Sequence, residues 1–167
     1  MAEFAERDMK AVSLAQRRIA SQAFTTLFLE GMALVEQTAT YLDGDGRNES
    51  RDLPRPALHA YAQQSMRLST RLMQLASWLL LQRAVTEDEM TPADARRESA
   101  KIDLEGPARD EEAEAMLPEG LRALIGRSFE LQRRIRQLNG ALTEPTEEQR
   151  NPVAGQIGRL RTAFERR

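Results

Sequence analysis

The sequence has no cysteine and only one histidine among its 167 residues. Without cysteine the chain can form no disulfide bond, no thiolate metal site and no cysteine nucleophile, and it suits a reducing compartment. The histidine, His59, stands alone, so the sequence offers neither a histidine metal site nor an obvious catalytic triad. These absences favour a protein that is not an enzyme and that uses no cofactor and no metal ion.

Long apolar runs and an excess of one charge are also missing. No apolar run approaches the roughly 18 residues of a membrane-spanning helix. The N-terminus mixes both charge signs where a signal peptide would have an apolar segment. The formal net charge of -2 gives no general attraction to nucleic acid or acidic lipid. We therefore expect a soluble cytoplasmic protein that binds neither a membrane nor nucleic acid directly.

The abundance of Ala, Leu, Glu, Arg and Gln favours helices over strands. A first helix is predicted over Ser21–Leu42, and residues 1–20 form an N-terminal arm, either a helical lead-in or a disordered segment. The predicted buried stripe of this helix comprises Phe24, Leu27, Phe28, Met32, Val35, Ala39 and Leu42. The glycines of Asp43–Gly46 can adopt positive φ and end the helix, and a polar connection follows to Pro56.

A second helix is predicted from Pro56 to Thr86, with the proline in the first turn, where its missing N–H costs nothing. It carries a heptad seam of Leu58, Tyr61, Ser65, Leu68, Leu72, Leu75 and Leu79. A second apolar flank comprises Met66, Met73 and Leu80, widened by Trp78 and Leu81. A helix this broadly apolar should contact more than one neighbour, either in the centre of a bundle or against a second subunit.

Residues 87–117 form an acidic connection with one short helix, which Thr91 caps and which ends near Lys101, before Gly106 and Pro107. A third long helix, Pro118–Leu142, repeats the heptad seam with Leu117, Leu121, Leu124, Ser128, Leu131, Ile135, Leu138 and Leu142. The predicted fold is all-α: an antiparallel three-helix bundle over residues 21–142, running up, down and up, followed by a flexible tail over residues 143–167.

Two sets of residues are candidates for binding a partner. The first set lies in a short amphipathic segment of the tail and comprises Ile157, Leu160, Arg161 and Phe164. This segment can fold back on the bundle, bind a membrane surface or act as a tethered docking peptide, and the polar linker before it favours the tether. The second set, Arg67, Arg71 and Gln74 on the second helix, forms either a solvated face whose stems cover the core or a recognition stripe.

The central part of the chain resembles the RcdA family, whose name stands for regulator of CtrA degradation. The matching segments are Tyr41–Arg47 (YLDGDGR), Leu53–Arg55 (LPR), Arg67–Val85 (RLSTRLMQLASWLLLQRAV), Glu89–Thr91 (EMT) and Ala95–Arg97 (ARR). The resemblance covers about residues 20–142 in order and spacing. Its most specific part is the long segment that contains Trp78.

This resemblance implies a three-helix bundle that forms a homodimer, has no catalytic residues and carries a flexible C-terminal tail. It implies an adaptor of the ClpXP protease in bacterial cell-cycle control. Such an adaptor works with a response regulator that primes ClpX and with a cyclic-di-GMP-binding adaptor, and it delivers substrates such as CtrA. Recruitment to the cell pole is a further expectation. The resemblance transfers no individual contact residues.

Two other functions stay open on the residues alone. One is a dimeric helical scaffold that binds a transcription regulator or nucleic acid without a role in proteolysis, which a salt-dependent gel shift would reveal. The other is an enzyme, which no motif supports, because a di-iron bundle needs Glu-x-x-His pairs that one histidine cannot supply. The dimer seam can lie on the second helix or on the first, and a monomer with a larger core also stays open.

Overall fold

A computed structural model describes the backbone of residues 2–143 and the side-chain burial of residues 20–143. It contains the helices α1 (Ala2–Asp43), α2 (Asp45–Ser50), α3 (Arg55–Thr86), α4 (Pro92–Ser99), α5 (Glu111–Glu114) and α6 (Glu119–Thr143). No strand occurs in this part of the chain, which confirms the all-α class. The backbone divides into two compact units, Met1–Ile135 and Arg136–Arg167. The packing described below belongs to the first unit.

Helix α1 buries a different face from the predicted one. Its buried residues include Leu27, Gly31, Leu34 and Thr38. The rest of the predicted stripe is half-buried, with Ala39 exposed. Gly31 explains the difference, because a Cβ atom at this position would lie 2.5 Å from Cδ1 of Leu79. The backbone of α1 therefore approaches α3 closely at Gly31, which a stripe of large apolar side chains does not reveal.

The connection between α1 and α3 contains helix α2, where the sequence predicted a polar loop. Gly44 has a φ of -111°, so the predicted positive φ at the end of α1 is wrong. Gly46 is buried, and a Cβ atom there would lie 2.6 Å from the Tyr41 ring and 2.7 Å from the Tyr61 hydroxyl. This glycine lets a short polar helix pack against two tyrosines.

Helix α1 runs antiparallel to both other long helices. Toward α3, the ring of Phe28 lies beneath the Arg83 guanidinium and Gly31 lies against Leu79, so residue numbers fall in α3 as they rise in α1. Toward α6, the contacting pairs are Glu30–Arg134, Gln37–Arg127 and Tyr41–Gly120. Helices α3 and α6 are therefore parallel. The long helices run up, down and down, rather than up, down and up as predicted.

The connection between α3 and α6 makes this parallel arrangement possible, because it returns along the bundle before α6 begins. The Gln132 side-chain amide donates to the carbonyls of Leu104 and Glu105, and Asp110 lies 3.6 Å from Arg67. The short helix in this connection is confirmed as α4, whose first turn is capped by a hydrogen bond from the Asp94 N–H to the Thr91 hydroxyl.

The core lies between the heptad seams of α3 and α6, as predicted. From Leu68 to Leu79 the α3 seam is buried, and the α6 seam is buried from Leu121 to Ile135. Trp78 is fully buried. Leu58 and Leu142, at the ends of the predicted seams, are exposed. No helix in the described residues is both long enough and apolar enough to cross a bilayer.

Candidate partner-binding surface

The predicted stripe on the second helix lines a groove between α3, the returning connection and α6. This groove, which we call the α3 groove, has a volume of about 330 Å³. Its lining residues are Gln63, Met66, Arg67, Thr70, Arg71, Gln74, Leu75, Asp103, Gly106, Pro107 and Gln132. The structure thus brings together all three predicted residues of α3, and their partner-binding role stays a prediction.

Arg71 is the least exposed of the three, although a solvated stripe would leave it in water. It is 8% exposed, and its Nη1 donates a hydrogen bond of 2.9 Å to the hydroxyl of Ser128. Its guanidinium carbon lies 3.6 Å from the centre of the Phe129 ring, a distance typical of a cation–π contact. Burial lowers the pKa of Arg71 from its ordinary value. The side chain stays charged because arginine ionises far above neutral pH.

A second arginine, Arg109, also lies near the Phe129 ring. Arg109 donates two hydrogen bonds from Nε and one from Nη2 to the carboxylate of Glu114, at 2.8 to 3.1 Å. Glu114 is only 5% exposed, so this ion pair neutralises a buried carboxylate. The hydrogen bonds to Glu114 raise the pKa of Arg109. The acidic segment 110–114 therefore contributes a structural ion pair as well as a charged surface.

The far wall of the groove is held by backbone contacts. Gln132 is 6% exposed, and its side-chain amide donates hydrogen bonds to the carbonyls of Leu104 and Glu105 in the connection. Asp103 Oδ1 accepts hydrogen bonds from the N–H groups of Glu105 and Gly106, and Gly106 has a φ of +59°. The groove is thus formed where a hydrogen-bonded turn of the connection lies opposite α3.

The predicted second flank of α3 is an exposed apolar ridge. Met66, Met73 and Leu80 are 73%, 68% and 53% exposed, and we call these three residues the α3 ridge. Trp78, which was expected to widen the flank, lies in the core instead. Large side chains repeated along one helix face without a partner are typical of an interaction surface.

Other side chains considered in the sequence lie outside this surface. His59 is exposed near the start of α3. The carboxylates of residues 87–89 are exposed, and the described residues contain no group of three or more His, Asp or Glu side chains placed to hold a metal ion. The predicted docking residues of the tail, Ile157, Leu160, Arg161 and Phe164, lie outside the described residues.

Sequence reasoning missed Arg109, Phe129 and Gln132. Phe129 lies against Arg71 of α3, and Gln132 binds carbonyls of the connection. Arg109 lies against the Phe129 ring. The residues of each pair are far apart in sequence, so no local pattern marks them. The one signal that the sequence offered for Gln132 is that this polar residue directly follows Leu131 of the α6 seam. A buried amide at such a position needs hydrogen-bond partners, and the connection supplies them.

The comparisons with known proteins find one family and one solved structure of note. A family model described as "Protein of unknown function (DUF1465)" matches residues 15–164. The crystal structure of RcdA from Caulobacter crescentus CB15 is 47% identical, with a TM-score of 0.59. The match covers 74% of this chain and 92% of the RcdA chain. Among the curated proteins, none matches the chain.

Proposed function

The chain belongs to the RcdA-like DUF1465 family, and on that premise we propose that it is a non-enzymatic adaptor of ClpXP-mediated proteolysis. In this role the bundle holds a cell-cycle regulator such as CtrA, or a second adaptor that binds cyclic-di-GMP. It presents this cargo to ClpXP that a response regulator has primed. Support comes from the 47% identity to RcdA over 92% of the RcdA chain.

The observation that carries the proposal is the exposed apolar surface of α3. A scaffold must offer its partners surfaces that its own fold does not use, and α3 offers the α3 ridge and the α3 groove side by side, with Met66 in both. Several weak contacts on one rigid helix allow an assembly that forms and dissociates readily. No part of this mechanism requires a reacting side chain.

We assign the α3 ridge to contact with a second copy of the chain. Ala62 precedes its large residues, and Ser69 and Ala76 lie between them, so small and large side chains alternate by steps of four and three. The hydroxyl of Ser69 donates to the carbonyl of Ser65, so it brings no unpaired donor to an interface. Such a ridge is self-complementary, as a two-fold symmetric dimer requires. The dimer seam then lies on the second long helix rather than on the first.

The tail keeps its predicted role as a docking peptide. We expect a chain that ends before Pro145 to lose binding to at least one partner, because Ile157, Leu160 and Phe164 are then absent. Pull-down of each purified partner by the full and the shortened chain measures this. Normal binding of every partner by the shortened chain would overturn the docking role and leave α3 as the proposed surface.

The adaptor role is tested by reconstitution. Purified ClpXP, the primed response regulator and the cyclic-di-GMP-binding adaptor are mixed with CtrA, with and without this protein, and the loss of CtrA is followed over time. We expect faster degradation only when the protein is present. Unchanged degradation, with every other component shown to be competent, would contradict the role and favour a scaffold without a part in proteolysis.

A further inference from the structure

We propose that the α3 groove is a binding site for a small organic carboxylate, whose anionic group pairs with Arg71 while its hydrocarbon part fills the groove. This site does not depend on the proposed adaptor role.

The first ground is the charge of Arg71. Buried cations in proteins are normally paired with an anion. Arg71 is only 8% exposed, yet its guanidinium donates its hydrogen bond to the neutral hydroxyl of Ser128. Its Nε has no hydrogen-bond partner among the described residues. The carboxylate that attracts it, Glu114, is held by Arg109. Arg71 is therefore a cation in the groove wall that forms no ion pair of its own with the residues that the structure describes.

The second ground is the shape and lining of the groove. A volume of about 330 Å³ falls at the lower end of the range for small-molecule sites. The side chains of Met66, Leu75 and Pro107 give it apolar walls, and Gln63 and Gln74 add polar groups. A few polar groups in a mostly apolar groove are the usual composition of a ligand site. A guanidinium group recognises a carboxylate through strong, charge-assisted hydrogen bonds.

The charges around the groove favour a single negative charge. Arg67 lies beside Asp110, so it is already partly neutralised. Asp103 lines the groove, and two backbone N–H groups bind its Oδ1. A phosphate with two charges would meet repulsion from Asp103, with Arg71 and the partly neutralised Arg67 to balance it, whereas a carboxylate needs one cation. The ligand class is therefore a monocarboxylate with a short hydrocarbon chain.

The test is a titration of the full-length, 15N-labelled protein with hexanoate, followed by amide chemical shifts in NMR spectra. We expect saturable shifts at residues of the groove, including Gly106 and Gln74. Hexanol, which has the same chain without the charge, should bind about tenfold more weakly or worse, since a hydrogen bond to a charged group is lost. Absence of saturable shifts with hexanoate, or equal binding of hexanol, would overturn the proposal.

Two variants test whether Arg71 supplies the positive charge that binds hexanoate. Arg71→Met should weaken hexanoate binding about tenfold or more. Arg127→Met, which removes an exposed arginine on the side of α6 that faces α1, should leave it unchanged. Equal losses in both variants would overturn the role of Arg71. If Arg71→Met does not fold, the comparison of hexanoate with hexanol on the unaltered protein still decides the question.

A further titration distinguishes the source of the carboxylate. Glutamate blocked at both ends, as N-acetylglutamate amide, represents an acidic side chain of a protein partner. Tighter binding of hexanoate than of blocked glutamate supports a free small molecule as the ligand. The opposite order would overturn that assignment and make the groove a site for an acidic side chain.

Discussion

Tyr41 joins three helices, since it lies at the end of α1 and contacts both α2 and α6. Its hydroxyl donates a hydrogen bond of 2.7 Å to Glu49 Oε2, which ties the end of α1 to α2. Its ring lies against Gly46 of α2 and Gly120 of α6, where added Cβ atoms would each lie 2.6 Å from ring carbons. Two glycines and one ring thus set how closely these segments approach.

Replacing Gly120 with alanine should lower the free energy of unfolding by about 1 to 2 kcal/mol. The added methyl group collides with the Tyr41 ring, which the hydrogen bond to Glu49 holds in place, and overpacking outweighs the gain in helix propensity. Gly140→Ala in the same helix is the control, because no described residue outside its own stretch of helix comes within 4 Å of its added Cβ. That variant should gain up to about 1 kcal/mol. Urea unfolding followed by circular dichroism measures both, and equal effects would contradict the prediction.

The ionisation of Tyr41 should make the fold less stable in alkali. Burial, followed by the hydrogen bond to Glu49, raises the pKa of Tyr41 well above that of a free tyrosine. The folded state therefore binds this proton more tightly than the unfolded state does. The stabilisation is complete below the ordinary pKa of about 10 and is lost as the pH rises above it.

The measurement is the free energy of unfolding at pH 9 and at pH 11 for the unaltered protein and for Tyr41→Phe. We expect the unaltered protein to lose about 1 kcal/mol or less beyond the loss in the variant, since partial exposure weakens the effect. Tyr61, whose pKa burial also raises, is present in both proteins, so its contribution cancels. Identical pH dependence in the two proteins would show that Tyr41 contributes nothing.

At the scale of elements, the short helix α4 depends on its first turn. It has eight residues, too few for a helix to be stable by itself in water. The Thr91 hydroxyl accepts the N–H of Asp94, and Pro92 occupies a first-turn position where it loses no hydrogen bond. Ala95 is the buried residue by which α4 is anchored.

Thr91→Ala should lower the free energy of unfolding by about 1 kcal/mol, because the first turn of α4 loses its cap. Thr86→Ala is the matched control, since the hydroxyl of Thr86 donates only to the carbonyl of Gln82 in its own helix and caps nothing. It should change stability by less than about 0.5 kcal/mol. Hydrogen exchange at the amides of α4 shows whether the loss is local. A larger loss in Thr86→Ala than in Thr91→Ala would refute the role of the cap.

For the whole molecule, the α3 ridge predicts the oligomeric state. Met73→Glu places a charge at the middle of the ridge, so two copies in a symmetric dimer bring like charges together. We expect the unaltered protein to be a dimer and the variant to dissociate about tenfold more readily or more. Sedimentation velocity over a range of concentrations measures this.

Met116→Glu is the control for that experiment, because Met116 is also exposed, at 43%, but lies between α5 and α6 and off the ridge. It should dimerise like the unaltered protein. Equal weakening by both substitutions would mean that any added charge, rather than the ridge, controls association. A monomer at all concentrations without substitution would remove the assignment of the ridge to a second copy.

The sequence alone determined the extent of α3 and α6 and the character of α3, whereas α1 begins at Ala2 and not at the predicted Ser21. Predicted bounds of Pro56–Thr86 and Pro118–Leu142 differ by one residue at most from Arg55–Thr86 and Glu119–Thr143. The cap of α4 and the apolar flank that forms the α3 ridge could also be predicted from the sequence. These features follow from hydrogen bonds and side-chain periods within a few residues, which are short-range and are written in the local sequence.

Only the tertiary structure decided which face of α1 is buried, which way α6 runs and where Arg71 lies. The buried face of α1 follows from the close approach to Leu79 at Gly31, and the direction of α6 follows from a connection that returns along α3. In the sequence, Arg71 has the helical spacing of a solvated face with Arg67 and Gln74. In the structure it is buried, because α6 packs beside it and Ser128 accepts its hydrogen bond. Each outcome depends on which distant segments meet. The free energy of their packing is shared between residues far apart in sequence, so no local pattern contains it.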